Sequence, residues 1–555
     1  MRRPLIKLRG EELVFLPLGG AGEIGMNFNA YGFGSDVEKK WIVVDCGVVF
    51  GREEQTPGVD LIMPDISYLA ELRKDVLGIV LTHAHEDHIG AIPYLWPMLR
   101  CPIYATAFTA ELVRTKLIDT GLEEQCPINI VPLGGHIDIG PFAIDFISIT
   151  HSIPEPNALA IATPLGTVVH TGDWKLDPEP LVGELTDAAR LRQLGDEGVL
   201  ALICDSTNAL AQGHSGSEAK VRCSIGELIQ GLEGRVAVTA FASNVARLDT
   251  IVKAASASGR EVCLVGRSMH RIIGAAKASG YLKDFPAVIS EGEASQLPAR
   301  HVLYLVTGSQ GEPRAALMRI AQGQHPTVSL GPGDAVIFSS RIIPGNELAI
   351  FALHNQLAAL GVEILTEQDH FVHVSGHPYR DELSEMYRWV RPKISVPVHG
   401  ELRHMAEHAR LARALQVPEA VVLANGQMLR LAPGKAEIID EVPSGRLCLD
   451  GRVLVRADDG IVRQRRAMSF AGLIAVTLVL DAKGKVRAEP AIFLEGIPDE
   501  VSNPVRAAVL ETLRRHNPKK VDEKALGEAV RRSARKAAQS VWNKKPVTRV
   551  EVVWI

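Results

Sequence analysis

Along the first third of the chain, apolar residues recur in short β-branched runs closed by turns, and the spacing predicts strands at 13–18, 41–45, 77–81, 143–150 and 167–170. The rhythm changes between 217 and 360. RVAVTA (235–240) leads into the helical pattern SNVARLDTIVKAA, and EVCLVG (261–266) precedes another helix. HVLYLVTG (301–308) runs into a Gly-rich turn that opens a helix, and DAVIFSS (334–340) runs into NELAIFALHNQLAAL. Strands alternating with helices predict a parallel, doubly wound sheet. Beyond Val372 the first style returns, with ISVPVHGE (394–401) as a further strand. The stretch 451–467 reads as a linker. The last part, from 468, reads as strands FAGLIAVTLVLD and AIFLEG, helices at 503–516 and 522–542, and a final strand VTRVEVVWI.

Chemically reactive side chains stand at the ends of several of these strands. His83 follows GIVLT, His151 follows FISIT, Asp173 follows VVHTG, Asp205 closes LICD and His399 follows VPV. Side chains at strand ends on one rigid sheet converge readily on a common site.

Length and composition narrow the class. A chain of 555 residues is too long for one core, and roughly two to four domains are expected. No apolar run approaches the length of a membrane span. The N-terminal segment begins basic, but Lys7, Arg9, Glu11 and Glu12 interrupt its apolar stretch, so a signal peptide is not expected. Seven cysteines without a C-x-x-C pair argue against a disulfide framework and for a reducing, cytoplasmic setting. The net charge of −5 hides an asymmetry: residues 511–549 hold twelve Lys/Arg against four Asp/Glu. A nucleic-acid partner therefore stays open. The basic helix residues Arg531, Arg532, Arg535 and Lys536 read as a solvated face or an oligomer contact, with an RNA path as the alternative.

The sharpest chemical signal is Thr82-His83-Ala84-His85-Glu86-Asp87-His88, directly after a predicted strand. His83 and His85, two apart on an extended loop, can reach one cation, and Asp87 and His88 can turn toward a second. Imidazole and carboxylate donors suit Zn²⁺ or Mn²⁺. His136, His170, His214 and His354 are assigned no catalytic role.

With His151, Asp173 and His399 this stretch resembles the metallo-β-lactamase superfamily. The resemblance implies that His83, His85 and His151 hold one metal and that Asp87, His88 and His399 hold the other. Asp173 would bridge the two, and Asp45, at the end of WIVVDCG, would support the ligands from behind. Two cations so placed lower the pKa of a shared water, supply hydroxide at neutral pH and clamp a scissile phosphate. The order CDSTNA (204–209), HVSGHP (373–378) and His399 resembles the motifs of the β-CASP group, which acts on nucleic acids. GGAGEIGMN (19–27), HSIPEP (151–156), TGDWKLD (171–177), GRSM (266–269), TGSQGEP (307–313) and HGELRH (399–404) are similar to the ribonuclease J family. Ala84, where glycine is common, and QGHSGSE (212–218) depart from the pattern without touching an expected ligand.

The resemblance implies an α/β chain: a metallo-β-lactamase αββα sandwich, an inserted β-CASP parallel α/β domain and a small C-terminal α/β domain. The expected boundaries are 1–216 and 361–450 for the sandwich, 217–360 for the insertion, 451–467 for the linker and 468–555 for the last domain. The implied activity is a 5′→3′ exoribonuclease with endoribonuclease action in RNA maturation and decay, preferring 5′-monophosphate ends. Two divalent cations per subunit are implied, Zn²⁺ first, with Mn²⁺ or Mg²⁺ as alternatives. Asp87, Asp205 and His377 are the implied catalytic residues, with His377 as an acid or a phosphate contact. Ser309, His373, Ser375 and Gly376 are the implied 5′-phosphate pocket. On the residues alone, a turn-capping Asp205, a purely structural His377 and an ordinary tight turn at 307–313 remain open. Single-stranded RNA, a homodimer or homotetramer formed through the C-terminal domain, and members of an RNA-decay complex are the implied partners, with no membrane. The rival functions are a small-molecule lactonase or thioesterase, a DNA-directed nuclease and a catalytically silent RNA-binding scaffold.

Overall fold

The structure, a computed structural model, describes residues 10–35, 38–52, 55–517 and 522–555; Lys7, Arg9, Lys519 and Lys520 lie outside them. Strict alternation within the strands builds two cores on the two faces of one sheet. In Val199–Asp205, Ala201 and Ile203 point into a core shared with a second sheet, while Leu202 and Cys204 point the other way, against helices. The shared core joins an eight-stranded sheet, which includes Glu12–Gly19, Phe28–Gly34, Lys39–Val44 and Val76–Val80, to a seven-stranded one. The latter includes Phe142–Ser148, Asn157–Thr163, Gly166–His170, Val199–Asp205 and Ile394–Val398. Ala188–Glu197, Arg380–Val390 and Leu402–Ala414 cover its outer face through Leu191, Leu383, Met386 and Leu411. This is the helix-flanked two-sheet sandwich that the resemblance implied.

The second rhythm forms a five-stranded, wholly parallel sheet. Its order is Glu261–Val265, Val302–Val306, Val236–Thr239, Ala335–Phe338, Glu363–Leu365. The sheet runs past the expected boundary at 360, because Glu363–Leu365 is its edge strand and Val372 and Val374 still pack into its core. The helix expected directly after the Gly-rich turn starts only at Ala316 and is six residues long.

Residues 10–49 and 63–444 belong to one compact unit, and Phe50–Ile62 with Gly445–Ile555 belong to a second. The expected linker 451–467 is instead ordered. It contains the strand Val453–Arg456, paired with Arg446–Asp450, and most of the helix Ile461–Ala471. The strand expected from Phe470 begins at Leu473, since Gly472 leaves the helix with φ +67°. Leu473–Leu480 is central in a three-stranded sheet, with Ala491–Glu495 antiparallel and Val547–Trp554 parallel to it. Helices Ser502–Arg514 and Glu523–Trp542 bury its Ile474, Val476, Leu478 and Leu480 face. The cysteines are all free, and among the described residues no helix is long and apolar enough to cross a membrane.

Candidate metal centre

The first ligand loop is held from beneath by Asp45. Its carboxylate, fully buried, accepts from the Thr82 amide at 2.8 Å and from the Thr82 hydroxyl at 2.9 Å. It also accepts from His88 Nδ1 at 2.7 Å. Asp45 adopts a left-handed conformation, φ +66°, which turns the chain out of the strand Lys39–Val44.

The ring hydrogen bonds then determine which nitrogens face the centre. The Thr82 hydroxyl, donating to Asp45, accepts from His83 Nδ1 at 3.0 Å. His151 Nδ1 donates to the Gly376 carbonyl, His88 Nδ1 to Asp45, and His399 Nδ1 to Asn27 Oδ1 at 3.0 Å. Each of these four rings therefore turns its Nε2 toward the centre, the nitrogen a metal ligand would use. In His88 burial is outweighed by Asp173, Asp87 and Asp45, which hold the ring well above the ordinary histidine range, so it would release its Nε2 proton on taking a cation. His83 Nε2 and His151 Nε2 lie 3.0 and 3.1 Å from His85 Nδ1. Burial pushes His83 and His151 well below the ordinary histidine range and brings His85 down to about 4.

Three neutral nitrogens facing one another in a buried space lack positive charge between them. Asp173 reinforces the point. Its Oδ2 lies 3.2 Å from His88 Nε2, 3.5 Å from His399 Nε2 and 3.7 Å from His83 Nε2, while its buried Oδ1 has no partner among the described residues. Three donor clusters result, each within 4.8 Å: Asp205, His377 and His399, and two that share Asp173, namely His83, His85, His151 and Asp173, and Asp87, His88, Asp173 and His399. The two that share Asp173 hold the ligands the sequence nominated, in the two groups the resemblance implied. The donor set fits two divalent cations of the imidazole- and carboxylate-binding kind.

His377 Nδ1 lies 2.7 Å from Asp205 Oδ2. Burial works against its charged form, but Asp205 and Asp173 prevail and raise it to about 9. Asp205 also accepts from the Thr207 amide at 2.8 Å, so the turn-capping role and the histidine partnership coexist in one carboxylate.

Of the expected phosphate pocket, Ser375 and Gly376 are tied to the metal side, Gly376 through His151. There is no room for a side chain at 376, where a Cβ would meet His151 Cε1 at 2.7 Å. His373 follows Val372, whose carbonyl is bound by Arg247 and by the Ser339 hydroxyl. Burial, with Arg247 nearby, lowers His373 to about 3, so its ring is neutral, and its Nδ1 has no partner among the described residues. Ser309 is buried at the carboxyl end of Val302–Val306. The short helix beyond the turn offers no free amide cradle at its start: Thr307 accepts from the amides of Ala316 and Leu317.

Asn27 was not singled out from sequence. Its Nδ2 donates to the Asp87 carbonyl at 3.1 Å, which leaves Oδ1 for His399. It thus joins ligands 60 and 372 positions away, and only its place at the end of GGAGEIGMN hinted at a role. His170, passed over for catalysis, bonds the Tyr31 hydroxyl at 2.8 Å.

Family models match four stretches of the chain: the metallo-beta-lactamase superfamily at 32–217, the ribonuclease J beta-CASP domain at 233–357, the Zn-dependent metallo-hydrolase RNA specificity domain at 361–421, and the ribonuclease J C-terminal domain at 460–554. A protein of Sinorhizobium meliloti named ribonuclease J is 48% identical over 550 residues, covering 97% of both chains. The chain belongs to the ribonuclease J family. A ribonuclease J of Thermus thermophilus is 38% identical over 518 residues, 91% of this chain and 88% of its own. A crystal structure of a protein of unknown function from Enterococcus faecalis shares the fold, with TM-score 0.52 at 15% identity over 76% of this chain and 100% of that one. Membership in the ribonuclease J family removes the lactonase and thioesterase alternative.

Proposed function

We propose that this chain is a 5′→3′ exoribonuclease that also cleaves internally, prefers RNA with a 5′-monophosphate, and acts in the cytoplasm in RNA maturation and decay. As a member of the ribonuclease J family it is a metal-dependent hydrolase of RNA. The observation that carries the finer reading is the position of Ser375 and Gly376: the segment that would hold the terminal phosphate is bonded directly to the ligand His151. A terminal phosphate held there would bring the first phosphodiester to the metal ligands.

In this reading His83, His85 and His151 hold one cation, Asp87, His88 and His399 the other, and Asp173 both; Zn²⁺ is the first choice and Mn²⁺ or Mg²⁺ the alternatives. When bound, such cations acidify a water and neutralise charge on the phosphate. The chain's own residues do the rest. Asp45 and Asn27 hold the ligand rings in register. Asp87, the most open of the ligand carboxylates with 31% of its side chain exposed, faces the incoming substrate. His377, held charged by Asp205, carries a proton on Nε2 for the oxygen that leaves when the P–O3′ bond breaks. Water adds to phosphorus, the 3′-oxygen takes that proton, and one mononucleotide departs. The new end is again a 5′-monophosphate, so attack repeats. Residues 217–374, with the edge strand Glu363–Leu365, are the inserted domain of this enzyme, and the segment from 460 onward is a terminal domain through which subunits assemble into dimers or tetramers and contact other decay proteins.

A time course on end-labelled RNA bearing 5′-monophosphate, 5′-triphosphate or 5′-hydroxyl tests the proposal. The expected result is stepwise release of mononucleotides, fastest from the monophosphate. Equal rates from all three ends would refute the end preference, and fragments from internal sites alone would refute exonuclease action.

A further inference from the structure

Ser375 Oγ has two donors against it. Asn208 Nδ2 lies at 2.8 Å and the His377 backbone nitrogen at 3.1 Å. Chemistry settles which end of the Asn208 amide faces the serine. The same nitrogen lies 3.3 Å from the His377 carbonyl oxygen, which can only accept. A serine hydroxyl has two lone pairs and one hydrogen. Here both lone pairs are taken, so the O–H hydrogen must turn to an acceptor elsewhere. The two carbonyls that follow in the chain each already accept one bond, Gly376 from His151 and His377 from Asn208. Ser375 is 9% exposed, enough to reach a ligand atom but not to solvate freely.

We propose that Asn208 is a positioning residue: by donating to Ser375 Oγ it holds that hydroxyl as an obligate donor and so makes the pocket prefer a terminal phosphate monoester over a terminal hydroxyl. The inference rests on the reading of Ser375 as part of the phosphate pocket. An anionic oxygen accepts a stronger hydrogen bond than a neutral one, so a hydroxyl that can only donate rewards the phosphate. An isosteric Asn208→Asp side chain reverses the arrangement. Its carboxylate accepts the Ser375 hydrogen, turns a lone pair outward and adds a negative charge beside the pocket. Asn208→Ala merely frees the hydroxyl to rotate.

The test compares kcat/KM for release of the first nucleotide from one RNA sequence with a 5′-monophosphate or a 5′-hydroxyl, alongside internal cleavage of a circular RNA. The ratio of the two end rates should fall about tenfold in Asn208→Ala, the worth of one hydrogen bond to a charged group, and further in Asn208→Asp, with the change carried by KM. In a Ser375→Ala background Asn208→Ala should change the ratio no further, because its effect passes through that hydroxyl. If the unsubstituted enzyme shows no end preference, the pocket reading itself falls. If that preference exists and survives both Asn208 substitutions, the pocket stands and the role of Asn208 is overturned. Equal losses on both ends and on the circle, or loss of a cooperative thermal transition in both variants, would make Asn208 a residue of the fold and overturn it as well.

Discussion

His399 Nδ1 donates to Asn27 Oδ1 across 3.0 Å, and this bond decides which nitrogen of the ring faces Asp173. Replacing Asn27 with Ala leaves His399 in place but free to adopt either tautomer. Loss of such a supporting partner commonly costs about 10–100-fold in metal affinity. Chelator competition followed by metal analysis should show that loss in Asn27→Ala. Affinity equal to that of the unsubstituted protein would mean that the ring is oriented by something else.

Asp87→Ala or His85→Ala should leave a folded protein with little or no nuclease activity and reduced metal content, because each removes a donor from one set. Full turnover in a folded variant that has lost metal would contradict the site assignment.

Arg247 is fully buried and pairs with Glu218 through Nη2–Oε1 at 2.8 Å and Nε–Oε2 at 3.0 Å. Arg247→Met strands a buried carboxylate, at a cost of about 3–5 kcal/mol in unfolding free energy. The pH dependence follows from the same pair. Burial raises the Glu218 pKa, but Arg247 outweighs it and holds the group below its ordinary 4.5. A depressed carboxylate contributes stability above its unfolded pKa and loses it as pH falls through the folded value. Urea unfolding should therefore show stability dropping below pH 4.5, with a shallower drop in an Arg247→Met, Glu218→Gln double variant. Identical profiles would show that other groups govern acid sensitivity.

Replacing Ser309 and His373 with Ala should slow exonucleolytic release more than internal cleavage. Two hydrogen bonds to a phosphate correspond to roughly 3–6 kcal/mol of end binding at about 1.5–3 each. His373 contributes as a neutral ring, since burial and Arg247 bring it to about 3. Equal losses in the two activities would assign both residues to the metal site or the fold.

Removal of residues 460–555 should yield a smaller particle by light scattering and weaker activity. The apolar core from Ile474 to Ala538 is closed within that segment, so the cut leaves the other sheets whole. An unchanged mass would argue against assembly through this domain.

Much of the centre was legible because its ligands obey local rules. Four of the seven lie within six residues, and the others follow short apolar strands that are easily recognised. Asn27, Asn208 and Arg247 obey none. Each is a single polar residue whose partners lie far along the chain, such as Ser375 for Asn208 at 167 positions and Val372 for Arg247 at 125. The pairing of Asp60 with Leu449, 3.0 Å between amide and carbonyl, was illegible for the same reason. Helix 461–471 was hidden differently. Only Val462 and Ala471 are buried in it, so the apolar stripe that normally betrays a helix is nearly absent.

Glu382 is fully buried and accepts from the amides of Leu176, Ser215 and Tyr379 and from the Ser215 hydroxyl, at 2.7–2.9 Å. Nearby, the Arg380 amide donates to Ala211 and the Asp381 amide to Gly213. The chain thus departs for the parallel sheet and returns from it at a single point, its two crossings one hydrogen bond apart. A guest whose ends already touch adds almost no loop-closure entropy to its host, whatever its length. The parallel sheet is in this sense a graft on a finished scaffold, and a change in its length away from the crossing need not disturb the scaffold beneath.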